Sequence, residues 1–251
     1  METIPENSTT SLEFKDSTQR FSGAPWFQQA KNTQITVVGA GGIGSHTVFM
    51  LSRLQPNHIY LYDGDNVEAV NMAGQFYNKY SIGLKKSYAT ANLVEQFSDY
   101  KSITACSFNI EPNYNIPETL VTICGLDNMA ARKLIFKKWQ DLNKFSNEKR
   151  LFIDGRLAAE ELQIYAVTSD DDYSMTQYQE KYLFDDKNAD STLCSYKQTS
   201  YCASMIGSLI TNIVVNHLTN IAENQENPLM KRPVPFYTYY DASLMYFKTE
   251  L

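Results

Sequence analysis

Apolar positions recur along the chain in two rhythms. An unbroken apolar run at 35–38 leads into a glycine-rich turn at 39–44, and from 45 to 53 the apolar residues fall at helical spacing. That pattern predicts strand, turn and helix. A second strand is predicted at 58–62, a loop at 77–84, and a helix at 85–96 with apolar residues at three-and-four spacing. Strands follow at 103–110 and 120–124, with a proline-containing loop at 109–117 between them. A helix at 129–142 comes next, then strands at 151–156 and 158–168. Residues 170–191 are polar, acidic and aromatic without a period and read as a surface loop; a well-patterned helix at 201–218 and a hairpin at 236–248 close the chain. Phe21, Trp26 and Phe27 predict a segment packed on the sheet just before the first strand. Residues 1–19 are polar and read as a flexible lead, and 20–251 as a single domain, because no repeat or linker interrupts them. Strands alternating with helices in the first half predict a parallel α/β sheet, and the later strands complete it as a mixed one.

The first βαβ unit carries recognisable chemistry. Gly39, Gly41 and Gly44 form G-x-G-x-x-G, with Gly42 inside it, between a predicted strand and a predicted helix. Without Cβ atoms the backbone can bring its N–H groups within hydrogen-bonding distance of a phosphate, and the helix start adds partial positive charge. Asp63 ends the second strand about twenty residues further on, the spacing of a carboxylate that grips a ribose hydroxyl. This much says only that a nucleotide binds at a switch point, with NAD as the default ligand and an NAD-dependent dehydrogenase as one reading.

Residues beyond Asp63 shift that default. The string D-G-D-N-V-E-A-V-N-M-A-G-Q, which includes Asp65, Asn71 and Gln75, resembles the D-x-D-x-V-x-x-x-N-x-x-R-Q signature of the ubiquitin-activating-enzyme superfamily, whose bacterial members include ThiF, MoeB and HesA proteins. Lys86 matches the lysine of the family's G-x-x-K, which holds nucleotide phosphates, and a lysine at a helix start otherwise meets the unfavourable end of the dipole. Asp127, in the family's D-N, matches the aspartate that holds Mg²⁺; read locally, it sits where a helix N-cap would. Arg132 has a positional match without a role. Gly155, Glu161, Gln163, the I-G-S-L beginning at Ile206 and the closing Tyr240-Asp241-Ala242 extend the likeness to nearly the whole folded chain.

The resemblance implies a Rossmann-like mixed sheet with an ATP site at the strand carboxyl ends and antiparallel C-terminal strands. It implies attack of a carboxylate on the α-phosphorus of ATP, giving an acyl-adenylate and pyrophosphate, with Mg²⁺ as cofactor. The expected carboxylate is the C-terminal glycine of a small ubiquitin-like or sulfur-carrier protein, and the expected assembly is a homodimer. Residues 170–193 correspond to the family's crossover loop, and Cys194, just after it, to the thiol that captures the acyl group in some members. Two family arginines are replaced, by Gly23 and Gly74, and Arg20 matches only the first arginine of its segment. Arg156, then Lys85, are the candidate substitute cations, and a catalytically impaired partner subunit is the alternative to an active enzyme.

Composition narrows the field a little. Of 251 residues, 43% are hydrophobic and 20% charged, ordinary for a globular protein, and a net charge of −6 argues against nucleic-acid binding through a broad basic face. No apolar run approaches the roughly 18–20 residues of a membrane span, and the start of the chain lacks a signal-like apolar region, so the expected setting is cytoplasmic and away from membranes. Cys106, Cys124, Cys194 and Cys202 form no C-x-x-C pair, so reduced thiols are expected and structural zinc is not.

Overall fold

A computed structural model describes residues 18–144, 146–184, 198–222 and 231–251. The chain enters through a short helix α1 (Phe27–Asn32) and then forms β1 (Gln34–Val38), α2 (Gly42–Ser52), β2 (His58–Tyr62), α3 (Lys86–Ser98), β3 (Ile103–Cys106), β4 (Val121–Cys124) and α4 (Met129–Asn143). It continues through β5 (Leu151–Ala158), β6 (Glu161–Thr168), α5 (Asp172–Gln177) with one π-helical turn at Tyr178–Tyr182, α6 (Ser200–Ile221), β7 (Tyr237–Asp241) and β8 (Tyr246–Glu250). The strands form one sheet in the order β3-β2-β1-β4-β5-β6-β7-β8. Pairings from β3 to β5 are parallel and those from β5 to β8 antiparallel, the mixed sheet that the sequence predicts.

Strand alternation sorts the core onto two faces. Ile35 and Val37, Val121 and Ile123, Leu151 and Ile153, and Leu162 and Ile164 join residues of α2 and α6 in one cluster. Val38, Cys124, Phe152, Tyr165 and Val167 point the other way, against Ile135, Phe136 and Trp139 of α4 and Tyr178. Both faces of the central strands are covered, which is why these strands read as continuous apolar runs and not as an alternation. α6 is long and apolar enough to cross a bilayer by length and composition alone, but much of it is buried inside the fold against α2, β5 and β6. The expectation that no stretch approaches the length of a membrane span does not hold for α6, which is a core helix.

Other differences from expectation are local. The strand predicted at 103–110 ends at Cys106. The strand predicted from 158 begins at Glu161, because Ala159, with φ of 51°, and Glu160 make the tight turn between β5 and β6. The loop predicted at 170–191 contains α5, started by Asp171, whose side chain accepts the Ser174 N–H at 3.0 Å, and Tyr178 beyond it is fully buried. A helix of little more than one turn has too few residues to show a period.

Topology sets the place of the site. From the end of β1 the chain crosses to β2 on one side, while β4 pairs with β1 on the other, so a crevice opens at the carboxyl ends of β1 and β4.

Candidate functional site at the glycine turn

The turn after β1 is clamped from both sides. Gly39 N–H donates to the Tyr62 carbonyl at the end of β2, and Gly125 N–H donates to the Val38 carbonyl from the end of β4, both at 2.8 Å. Gly39 has φ of +95°, and a Cβ on Gly44 would lie 1.7 Å from the Gly39 carbonyl oxygen, so both positions require glycine. Helix α2 opens at Gly41 with no side chain capping it, and nothing lies within 4 Å of where a Gly41 Cβ would stand. The helix start is open on the Gly41 side, while Gln198 covers it at Gly42, and its backbone donors and the positive end of its dipole suit an anion on the open side.

On the β2 flank, Asp63 is held by two backbone donors. Its Oδ2 accepts Ala40 N–H at 2.7 Å and its Oδ1 accepts Asp65 N–H at 2.9 Å. Burial raises its pKa above the usual carboxylate range, against the lowering effect of those two donors and of Lys86. Tyr77 closes the same corner, its hydroxyl donating to the Ala40 carbonyl at 2.6 Å. The 63–67 segment runs back against 83–86: Lys86 N–H meets the Asp65 carbonyl at 2.9 Å and Val67 N–H the Leu84 carbonyl at 2.8 Å. This pairing sets the Lys86 ammonium 3.0 Å from Asp65 Oδ2, an ion pair in which the lysine is buried and the aspartate exposed. Lys85 turns its ammonium onto the Gly64 carbonyl at 2.7 Å. Asn71 serves a capping box, its Oδ1 accepting Glu68 N–H at 2.8 Å. Gln75 presents a buried side-chain oxygen with no hydrogen-bond partner among the described residues.

On the β4 flank, local sequence and structure differ by one residue. The cap of α4 is Asn128, whose side chain accepts Ala131 N–H at 2.8 Å, and not Asp127. Asp127 is thereby relieved of capping; its carboxylate is exposed and, among the described residues, accepts the Asn128 amide at 3.3 Å. Arg132 fixes the loop that carries it. This buried guanidinium donates to the Leu126 carbonyl, to Asp154 and to the Gly155 carbonyl. Asp154, fully buried, also accepts from Arg156 Nε at 2.8 Å and from the Tyr178 hydroxyl at 2.9 Å. Arg156 donates further to the Tyr182 carbonyl at 2.7 Å and lies over the Tyr165 ring. The free cation that the sequence suggests at 156 is thus ion-paired and stacked.

Asp63 and Lys86 stand on one side of the turn and Asp127 on the other, with Gly125 and Leu126 packed on Gly39. Arg132 is the residue whose part sequence reasoning left unassigned. Its signal was its position on the stripe Met129, Arg132, Ile135, Phe136, Trp139, which is the buried face of α4. Cys124 and Cys202 are buried and Cys106 half-buried, and burial pushes all three thiols up, away from reactivity. Cys194 and residues 185–193 of the expected crossover loop lie outside the described residues. Arg20 is exposed in a short 3₁₀ turn, and Gly23 has open space around it.

Comparison with known proteins meets this geometry. Ubiquitin-like modifier-activating enzyme 5 of Bombyx mori is 33% identical over 97 residues, which are 39% of this chain and 25% of that protein. The Drosophila ananassae enzyme of the same name is 31% identical over 105 residues, 42% of this chain and 26% of that one. The matched stretch thus spans about a quarter of each of these relatives. Among solved structures, PaaA superposes with a TM-score of 0.69 at 16% identity, covering 90% of this chain and 66% of that one. Escherichia coli MccB with ATP gives 0.67 at 14%, covering 90% and 65%, and these two likenesses show the shared fold. The sequence model of the ThiF family matches residues 15–248, and the chain belongs to the ThiF family.

Proposed function

We propose that the chain is an ATP- and Mg²⁺-dependent adenylyltransferase that activates the C-terminal carboxylate of a small ubiquitin-like or sulfur-carrier protein. The observation that carries this reading is Asp127. Its carboxylate is exposed and is not the cap of α4, a part that Asn128 plays, and Arg132 anchors its loop beside the glycine turn. A hard divalent cation that keeps most of its waters needs one such carboxylate. The orphaned Gln75 oxygen and the uncapped start of α2 also fit a polar, anionic guest.

Within this reading Asp63 holds the ribose, Lys86 and the start of α2 hold phosphates, and Asp127 holds the metal. Mg²⁺, when bound, offsets phosphate charge. The incoming carboxylate oxygen forms a bond to the α-phosphorus as the bond to the β-phosphate bridging oxygen breaks, and pyrophosphate leaves. Two anions must meet, so positioning and charge neutralisation carry the rate. The names of the sequence relatives, activators of ubiquitin-like modifiers, support a carrier-protein substrate, and MccB has been crystallised with MccA and an ATP analogue. A dimer and an acyl-carrying role for Cys194 belong to the same proposal.

A second reading has its own observation. The family arginines are absent at 23 and 74, and Arg156 is bound to Asp154 and Tyr182, which suits a nucleotide-binding partner subunit without catalysis. ATP–pyrophosphate exchange separates the readings when the chain is challenged with small proteins ending in glycine. Exchange driven by one of them establishes the enzyme. ATP binding without exchange from any of them favours the partner subunit, and NAD binding in place of ATP overturns both.

A further inference from the structure

The segment entering α6 brings Gln198 against the glycine turn, and two glycines distant in sequence make room for it. A Cβ on Gly42 would stand 2.5 Å from Gln198 Cδ and 2.6 Å from its Nε2 and Oε1. A Cβ on Gly74 would stand 2.5 Å from the Gln198 carbonyl oxygen and 2.9 Å from its Cγ. Backbone conformation requires glycine at neither place: Gly42 is the first helical residue of α2, and Gly74 has φ of −136° and ψ of −8°. What they share is Gln198, wedged between them.

Its position is built and not draped. Thr199, the N-cap residue of α6, donates its N–H and Oγ1 to the Ala159 carbonyl in the β5–β6 turn at 3.2 and 3.3 Å. α6 then lies along α2, so closely that a Cβ on Gly207 would come within 2.9–3.0 Å of the His46 backbone and Cβ. The Gln198 side chain is half-buried, yet its carboxamide has no hydrogen-bond partner among the described residues. A donor amide thus sits at the start of α2 with no acceptor among the described residues.

We propose that Gln198 is a nucleotide-contacting residue whose Nε2 donates to a phosphate oxygen held at the start of α2. This rests on the nucleotide reading of the site and adds a residue to it. It also accounts for Gly74. A Cβ at 74 would stand 2.5 Å from the Gln198 backbone carbonyl oxygen and 2.9 Å from its Cγ, so an arginine there would require the segment at 198 to shift. Beside Lys86, the site thus adds a neutral donor on the side where the family arginine would stand. A hydrogen bond from a neutral amide to an ionised oxygen is still stronger than a neutral pair.

Calorimetric titration with ATP·Mg²⁺ and with AMP, beside thermal melts, tests this in the full chain, wild type against Gln198→Ala and Gln198→Glu. The expected loss for Gln198→Ala is roughly tenfold in ATP affinity, the cost of one hydrogen bond to a charged group. Gln198→Glu binds more weakly still, because a carboxylate faces the phosphate, while its melting temperature holds or rises beside the helix dipole. A purely structural wedge would instead lower the melting temperature of Gln198→Ala and leave the affinity of both folded variants at the wild-type value; that result overturns the inference. Wild-type protein that binds neither nucleotide overturns the underlying reading, and this inference with it. Wild-type binding with unchanged variants overturns the inference alone.

Discussion

Charge is handled in opposite ways on the two flanks of the glycine turn. On the β2 flank the pair is lopsided: the Asp65 side chain is 67% exposed and that of Lys86 11%, so one partner is solvated and free to exchange. On the β4–β5 flank Asp154 is 0% exposed and gathers Arg132, Arg156 and the Tyr178 hydroxyl in the interior. The first arrangement can open to admit a ligand at small cost. The second cannot, and it anchors the loop that carries the exposed Asp127. The molecule thus places a solvated countercharge on one side of its candidate site and a buried foundation on the other.

The contrast can be broken most forcefully at Asp154. Asp154→Ala leaves the buried Arg132 and the half-buried Arg156 without their carboxylate, and urea denaturation should show a loss of about 3–5 kcal/mol. A loss under about 1 kcal/mol would show that the cluster is solvated and the foundation is not one. Next in size is the pair of neighbours at the start of α4. Asn128→Ala should cost about 1 kcal/mol as a lost cap. Asp127→Ala should leave the denaturation midpoint where it is and weaken Mg²⁺-dependent nucleotide binding. The reverse assignment, with Asp127→Ala unstable and binding unchanged, would return that residue to a structural role. The smallest effect belongs to Asp65→Asn: removing an exposed partner should move stability by less than about 1 kcal/mol. A larger shift in the thermal melt would show that Lys86 depends on that carboxylate to stay folded in place.

Legibility followed the range of the interactions. The apolar run into Gly39, the return to Asp63 and the helix at Lys86 are contiguous patterns, and each is present in the structure. The mixed sheet followed from the order of strands and helices. What stayed hidden depends on contacts across the chain. Arg132 meets Asp154 through space, and only its place on an apolar helix face hinted at burial. The shift of the cap from Asp127 to Asn128 is one residue, below what local pattern resolves, yet it changes the meaning of the aspartate. Gly74 looked like a lost arginine, and its contact with Gln198 is invisible until α6 is laid along α2. The short α5 lacked enough turns to declare itself.

The central claim is that a nucleotide is held at this turn with its metal on Asp127. One calorimetric series tests it most directly: ATP titrated into the full chain with Mg²⁺, with Mg²⁺ chelated, and into Asp127→Ala with Mg²⁺. The account predicts tight binding in the first case and clearly weaker binding in the other two, with the variant melting at the wild-type temperature. Equal affinity in all three, or no affinity for ATP in any, would contradict it.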